Sequence, residues 1–515
     1  MTVQTGRTAF PAEEHPFDVV VVGAGITGAA LARELAAYDL RIALLDRGAD
    51  VPAGASRANS AMLHAGYSDP PGSLRARLCA AGNRRYRVLA EELDIPLRAC
   101  GSHVVAFTAE DQSHLEALRD QGLRNGVPGL RIVSGDELRQ REPGASPHAV
   151  GALFAPTGAV ISNFEAVRAL LENAQANGVE FFPETEARRL VPSGAGEGPC
   201  RIRGVETSRG FFRAPVVLNA AGGGASALAE GEALRVRPTR GEYVLGDKIF
   251  GDQVRGFLFP CPDERGKGIA VTRTVEGNLL LGPTSETQDD PDDTATTAEG
   301  LAMVWRGASR LVPSLPSDLA ITVFSGVRAN DASGDFRIFP SRRLRGVVHV
   351  AGIRSPGFTS APAVALYVVE LLREELGDLL RLTPRSTFSP ERRGIPRFGE
   401  MSREERRALV AENPAYGQIV CRCEMITEAQ VVEAIRRGAR TVAGVKMAVR
   451  AGSGRCQGSF CLPRVVALLA RELGVSPEEV TRHGGTSRIL AGPAKGSWGA
   501  RTENGGPASG EDHGA

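Results

Sequence analysis

The stretch VVVVGAGITGAALARELAAYDLRIALLDRG, residues 19–48, leaves a chain few ways to fold. Four consecutive valines read as a strand buried on both faces. Gly23, Gly25 and Gly28 follow as G-x-G-x-x-G, AALARELAAY continues as a helix, and RIALLD is a second strand that ends at Asp46. Glycines at this spacing allow a tight turn, close approach of backbone to a pyrophosphate, and close packing of helix on strand. The phosphates would sit at the positive helix N-terminus, and Asp46 would hydrogen-bond a ribose diol. The unit predicts a dinucleotide site; the plain alternative is a tight strand–helix turn without a ligand.

Only one such fingerprint occurs, because GAGEG at 194–198 lacks the strand before it and the helix after it. Two further strands end in glycines: VVLNAAGGG at 216–224, with Gly222, and VVHVAGIRSPGFTSAP at 347–362, with Gly352 and Gly357. Three strand ends converging on one extended ligand favour FAD over NAD. An enzyme reduced by NADH usually needs a second dinucleotide site, so the reductant is expected to be a small molecule.

Apolar β-type runs alternate with helical segments from residue 17 to 382, the pattern of an α/β chain. Residues 1–16 read as a flexible N-terminus, and 383–417, rich in Pro, Arg and Glu, as a linker with one short helix. A compact helical module is expected over 418–484. In it a Thr427/Gln430 capping box, Gly438, Pro463 and Gly474 mark helix ends. The Gly- and Ser-rich residues 485–515 read as a disordered tail. A net charge of +1 over 515 residues gives no argument for a nucleic-acid groove, and no nucleic-acid partner is expected. No run approaches the roughly 18 apolar residues of a membrane span. Without an apolar leader, and with cysteines sparse outside one cluster, a cytoplasmic protein is expected, membrane-associated only through a partner.

Four of the eight cysteines form that cluster: Cys421-x-Cys423, then thirty-two residues, then Cys456-x4-Cys461. By spacing alone, four thiolates suit zinc or an iron–sulfur centre.

The order of the fingerprint, GASRANSAMLHAGYSDPPGSLRARLC, AAGGG, TVEGNLLLGPTSE, GVRANDASGDFRI and GIRSPGFTSAP resembles the D-amino-acid-oxidase-type FAD superfamily. Within it the chain is similar to anaerobic glycerol-3-phosphate dehydrogenases and L-2-hydroxyglutarate oxidases. The resemblance implies a Rossmann-type FAD domain with a mixed-sheet substrate domain inserted near 96–150 and 236–325. It places Ser56, Asn59 and Ser60 on the pyrophosphate or flavin, and His64 near the ring as a base; the ordinary alternative for His64 is a satisfied, partly buried histidine. Arg328 would anchor a substrate carboxylate or phosphate, against a structural ion pair, and Tyr243 would reach the same pocket. Lys267 reads as a solvated loop lysine, and FAD is expected to be noncovalent.

CRCEMITEAQVVEAI and AGSGRCQGSFC resemble the BFD-like module, named for bacterioferritin-associated ferredoxin. The resemblance assigns a [2Fe–2S] cluster to Cys421, Cys423, Cys456 and Cys461, and lets Gly452, Gly454 and Gly458 bring backbone N–H groups to its sulfurs. Lys446, Arg450 and Arg455 would bear on docking or potential.

Together these readings imply an FAD-dependent dehydrogenase for a small anionic alcohol, glycerol 3-phosphate or a 2-hydroxy acid. Electrons would leave through the cluster to an acceptor protein or quinone-linked subunit, in a possible hetero-oligomer. Oxidation of an amine or amino acid, or a non-catalytic electron-transfer subunit, are the alternatives.

Overall fold

The architecture is that of a computed structural model, which describes residues 16–194, 200–262, 266–316 and 318–492. Residues 1–15 of the expected flexible segment 1–16, most of GAGEG, and the tail from 493 onward lie outside the described residues.

The valine run forms the strand Val19–Val22 at the centre of a six-stranded sheet. It pairs in parallel with Ile42–Leu45 on one side and Val216–Asn219 on the other. Glu180–Phe182 extends one flank in parallel, and Val347–Ala351 the other; Arg337–Pro340 closes the latter edge antiparallel. Parallel strands need crossovers, and the helices Ile26–Ala36, Asn163–Ala176 and Gly357–Glu375 supply cover for this sheet. Their apolar faces meet the strands in one cluster that includes Val19, Val21, Leu31, Leu35, Leu170, Val364 and Val368.

A second, nine-stranded sheet takes its strands from two separate stretches, 102–155 and 236–331. They join where Phe257–Pro260 runs parallel to Ser102–Val105. Its longest ladder pairs Val236–Gly246 with Ala320–Asp331 antiparallel, which sets Tyr243 opposite Phe324 and Thr239 opposite Arg328. This ladder carries Tyr243 and Arg328, the residues expected to face the substrate.

The stretch read as a linker is anchored along much of its length. Arg392 is held by Glu165 and Glu172, Arg385 donates to the Tyr38 and Leu40 carbonyls, and Asn173 and Asn177 donate to the Ser389 carbonyl. Ile395 enters the core of the C-terminal module. Proline-rich composition marks an absence of regular structure, and buried arginine pairs then tie the segment down. The expected short helix is Arg403–Glu412.

In the C-terminal module the helix Glu428–Arg436 opens on the Thr427/Gln430 capping box, and Leu462–Leu473 ends on left-handed Gly474. The module is not purely helical: Ile419–Cys421 and Ile426–Thr427 form a small hairpin, and Cys421 lies on its first strand. Past 484, Arg488 bridges to Thr481 and Ile489 packs on the module core, so the first residues of the expected tail are ordered.

The module is docked on the rest of the chain by polar contacts. Asp50, just beyond the second strand, accepts from Thr441 Oγ1 (2.6 Å) and from the Arg440 N–H (2.9 Å) at the start of the helix Val442–Val449. Arg437 reaches Glu172, and Arg455 reaches Asp247 at 2.6 Å.

Candidate active site and iron–sulfur centre

Each fingerprint glycine has a steric reason. A Cβ on Gly28 would lie 1.7 Å from the Gly23 carbonyl oxygen, and one on Gly23, whose φ is +98°, would lie 2.5 Å from the Ala220 carbonyl oxygen. Gly25 has Ser56 Oγ 3.1 Å from the same virtual position. Gly25 is also the N-cap of the helix Ile26–Ala36 and offers no side-chain cap. Apart from the Ile26 N–H, which Ser56 Oγ takes, the amides of that helix end are available to an anion, as a pyrophosphate requires. Gly222, at φ +58°, opens onto free space. Gly352, at φ +64°, turns the chain against Asp331, and Gly357 starts the helix Gly357–Glu375. The residues present fit an FAD laid across three strand ends.

Asp46 is half-buried, and the loss of solvent around it pushes its carboxyl above the usual range. Both of its oxygens already accept backbone N–H groups, from Ala24 and Gly48, each at 2.7 Å. It therefore holds the glycine turn as well as presenting lone pairs to a ligand. Ser56 Oγ accepts the Ile26 N–H at 2.9 Å. Asn59 commits its amide to the turn around it: its Nδ2 donates to the Ala55 and Ser56 carbonyls and its Oδ1 accepts from the Ala61 N–H. Ser60 is half-buried beside it.

His64 is held by its backbone. Its N–H donates to Thr359 Oγ1 (2.9 Å), its carbonyl accepts from Asn83 Nδ2 (3.0 Å), and Nε2 lies 3.3 Å from Ser355 Oγ. Burial first, then the charges of Lys267 and Arg75, hold its pKa well below the ordinary value, so the imidazole is neutral at neutral pH. A neutral, oriented imidazole is competent to accept a proton.

Around it stands a set of cations. Lys267 is not a solvated lysine: its Nζ donates to Ser68 Oγ at 2.8 Å, and burial lowers its pKa, opposed by Asp69. The glycines flanking it let the loop turn inward, which the sequence pattern did not show. Arg75 is paired with Asp69 at 2.6 Å and fastens the Gly334 and Ser355 carbonyls. Arg354 lies within GIRSPGFTSAP, where the motif singles out only the glycines. Its Nε is buried without a hydrogen-bond partner, and burial, then Arg75, lowers its pKa. Arg328 donates to the Thr284 carbonyl at 3.0 Å and to Ser285 Oγ at 3.5 Å, and has no carboxylate partner among the described residues. Arg328 also bonds the Tyr243 phenol, opposing the upward pKa shift that burial imposes there, while the Tyr243 ring stacks on Phe324 at 4.8 Å. With Arg75 neutralised by Asp69, three positive groups remain uncompensated beside a neutral histidine. Such a site is built for an anion.

The four clustered cysteines come together as two pairs. Cys423 and Cys456 sulfurs are 3.7 Å apart, and Cys421 is hydrogen-bonded with Cys461. Among the described residues no three acidic, thiol or imidazole groups converge on one point as they would around a single ion. Two pairs suit two iron atoms better than one tetrahedral zinc. Cys461 draws the Cys421 thiol down to about 6, aided by the Gly452 and Glu424 N–H groups, and is itself pushed upward. The Phe460 and Gly458 amides likewise face Cys456. A Cβ on Gly454 would meet the Cys423 Cβ at 2.3 Å, so the approach of the two loops depends on that glycine.

Comparison with known proteins agrees with this geometry. Residues 18–371 match the family model described as FAD dependent oxidoreductase, and 419–471 match that of the BFD-like [2Fe-2S] binding domain. Glycerol 3-phosphate dehydrogenase of Caloramator mitchellensis is 42% identical over 93% of this chain and 99% of its own length. A subunit of the anaerobic glycerol-3-phosphate dehydrogenase of Escherichia coli K12 is 27% identical over 88% of each chain. L-alpha-glycerophosphate oxidase of Mycoplasma pneumoniae, solved with FAD bound, superposes with a TM-score of 0.67 at 27% identity, covering 73% of this chain and 98% of that one. No helix among the described residues is long and apolar enough to cross a membrane. The chain belongs to the FAD-dependent oxidoreductase family, with FAD as the cofactor of that domain and a BFD-like [2Fe–2S] domain fused behind it.

Proposed function

We propose that this chain is a glycerol-3-phosphate dehydrogenase. The observation that carries the reading is the uncompensated cation set Lys267, Arg328 and Arg354 beside neutral His64; the 42% identity to the Caloramator enzyme points the same way. The guanidinium forks of Arg328 and Arg354, with the Lys267 ammonium, bind the phosphate dianion and fix the glycerol carbons. His64 takes the proton of the C2 hydroxyl at its free ring nitrogen while the C2 hydrogen leaves as hydride. Tyr243 braces Arg328, and Thr359 and Asn83 fix the backbone of His64. FAD, held by Gly23, Gly25, Gly28, Asp46, Ser56 and the Gly222 and Gly352–Gly357 turns, supplies the two-electron acceptor, and the cluster on Cys421, Cys423, Cys456 and Cys461 a one-electron exit.

Anaerobic mixing with glycerol 3-phosphate should bleach the flavin in a single turnover, while 2-hydroxyglutarate, lactate, sarcosine and proline derivatives should not at equal concentration. Bleaching by the amines alone would overturn the reading.

A further inference from the structure

The two cysteine pairs differ sharply in exposure. Cys421 and Cys461 are 1% and 2% exposed, within the module's apolar core, whereas Cys423 is exposed and Cys456 half-buried. One edge of the cluster site therefore faces inward and the other outward. On the outward edge stands Phe460, one residue before a ligand and 84% exposed, more than any other large hydrophobic residue among those described. A single exposed apolar ring is ordinary on a protein surface. Here the two cysteine loops that meet at Cys423 and Cys456, and the helix that follows Phe460, also carry arginines.

Arg422, between the two ligands of the first loop, is exposed and has no ion-pair or hydrogen-bond partner for its guanidinium among the described residues. Arg464, four residues after Phe460, gives one nitrogen to the Ile419 carbonyl at 2.6 Å, a bond that leaves its charge intact, and only skirts Glu428 at 3.9 Å. Arg455, beside Cys456, is exposed and pairs with Asp247. The acids close by are turned inward or engaged: Glu424 is buried on Arg450 and Lys248, and Glu428 is held by Arg471. The chain as a whole carries only +1, so this local excess is not the overspill of a basic protein. An aromatic ring amid arginines is also the composition typical of an interface centre.

Resting on the reading that electrons leave through this cluster, we propose that Phe460, with Arg422, Arg464 and Arg455, forms the docking surface for a small acidic one-electron carrier protein. The arginines steer the carrier's anionic face, the ring supplies the desolvated centre, and contact closes over the Cys423–Cys456 edge. Each carrier takes one electron, so one substrate molecule oxidised reduces two carriers. Opposite charge gathers such a partner at rates about 10 to 1,000 times those of a neutral one, and salt cancels the gain.

The test uses the full-length holoenzyme under anaerobic conditions, with cytochrome b5 as the acidic probe and cytochrome c as the basic one. With glycerol 3-phosphate as donor, cytochrome b5 reduction should fall about tenfold or more between low and high salt, and cytochrome c reduction should not. The double variant Arg422→Glu/Arg464→Glu should slow cytochrome b5 at low salt by about tenfold and speed cytochrome c. Flavin bleaching and the electron paramagnetic resonance signal of the reduced cluster should stay unchanged. Phe460→Ser should weaken binding of redox-inert zinc cytochrome b5 several-fold, read by titration calorimetry. Unchanged cytochrome b5 kinetics in the double variant, or loss of reduction of a vesicle-borne quinone in its place, would overturn the proposal. If glycerol 3-phosphate does not bleach the flavin, the same comparison on enzyme reduced by titrated dithionite tests the surface independently of the substrate.

Discussion

Arg450 Nε donates to Glu424 Oε2 at 2.9 Å, and Arg450 Nη2 reaches Asn278 Oδ1 at 3.0 Å. Glu424 follows Cys423 directly, and its almost fully buried carboxylate also takes Lys248 Nζ at 2.8 Å. The cysteine loop is thereby fastened to the large sheet across the module boundary. Arg450, at φ +63°, carries a local backbone cost to make this bridge.

Removing the bridge should loosen the loop without touching the substrate site. Arg450→Met leaves Glu424 with a single, partly exposed partner, a loss of about 2 kcal/mol for a buried charged hydrogen bond. Hydrogen exchange of residues 419–427 should quicken by about 30-fold, while flavin bleaching by substrate keeps its rate. Unchanged exchange would show that the bridge carries no docking energy.

The cations and the histidine should separate kinetically. Arg328→Met and Arg354→Met each remove a charged contact to the phosphate and should raise KM by about 10- to 100-fold. His64→Asn should lower the single-turnover rate of flavin bleaching by about 100- to 10,000-fold with a smaller change in KM. Stopped-flow absorbance resolves the two, and a His64 variant with a normal bleaching rate would remove the base from the mechanism.

The pH profile follows from the direction of the His64 shift. Its pKa is depressed by burial and by Lys267, so the active neutral form persists below pH 6.5 and is lost only as pH falls further. Lys267→Met removes one depressing charge, so the acid limb of kcat/KM should move to higher pH. The titration of the substrate phosphate is common to both proteins, so the difference reports the enzyme alone. A limb that stays put or moves down would contradict the placement of Lys267 beside His64.

Two glycines should respond oppositely to alanine. In Gly28→Ala the new Cβ meets the Gly23 carbonyl at 1.7 Å, and the protein should purify without flavin. Gly474→Ala, at φ +67° past the helix Leu462–Leu473 and away from the FAD turns, finds open space and carries only the left-handed backbone penalty of about 1–2 kcal/mol, so it should retain FAD. Flavin absorbance per chain after desalting decides both.

Much of this was legible in one dimension. A strand, a glycine turn, a helix and a second strand within thirty residues are local chemistry, and so are the capping box at Thr427 and the stop at Gly474. The resemblance carried by the quoted motifs pointed to Arg328, His64 and the four cysteines as site residues. It did not single out Arg354, which reads as one more arginine until its buried, unpartnered Nε is seen, and it assigned Asn59 to a ligand although that amide is committed to its own turn. Residues 383–417 read as a linker because composition reports flexibility of the isolated chain, not the largely buried carboxylates that meet Arg392 and Arg397.

What the sequence by itself determined is whatever depends on neighbours within a helical turn or a loop: the glycine fingerprint, the helix ends and the close spacing of the thiols along the chain. Only the tertiary structure decided which charges stay unpaired, that Lys267 turns inward, and that one cysteine edge is buried while the other meets solvent. Those outcomes depend on groups brought together across hundreds of residues, where burial, not residue type, sets the electrostatics.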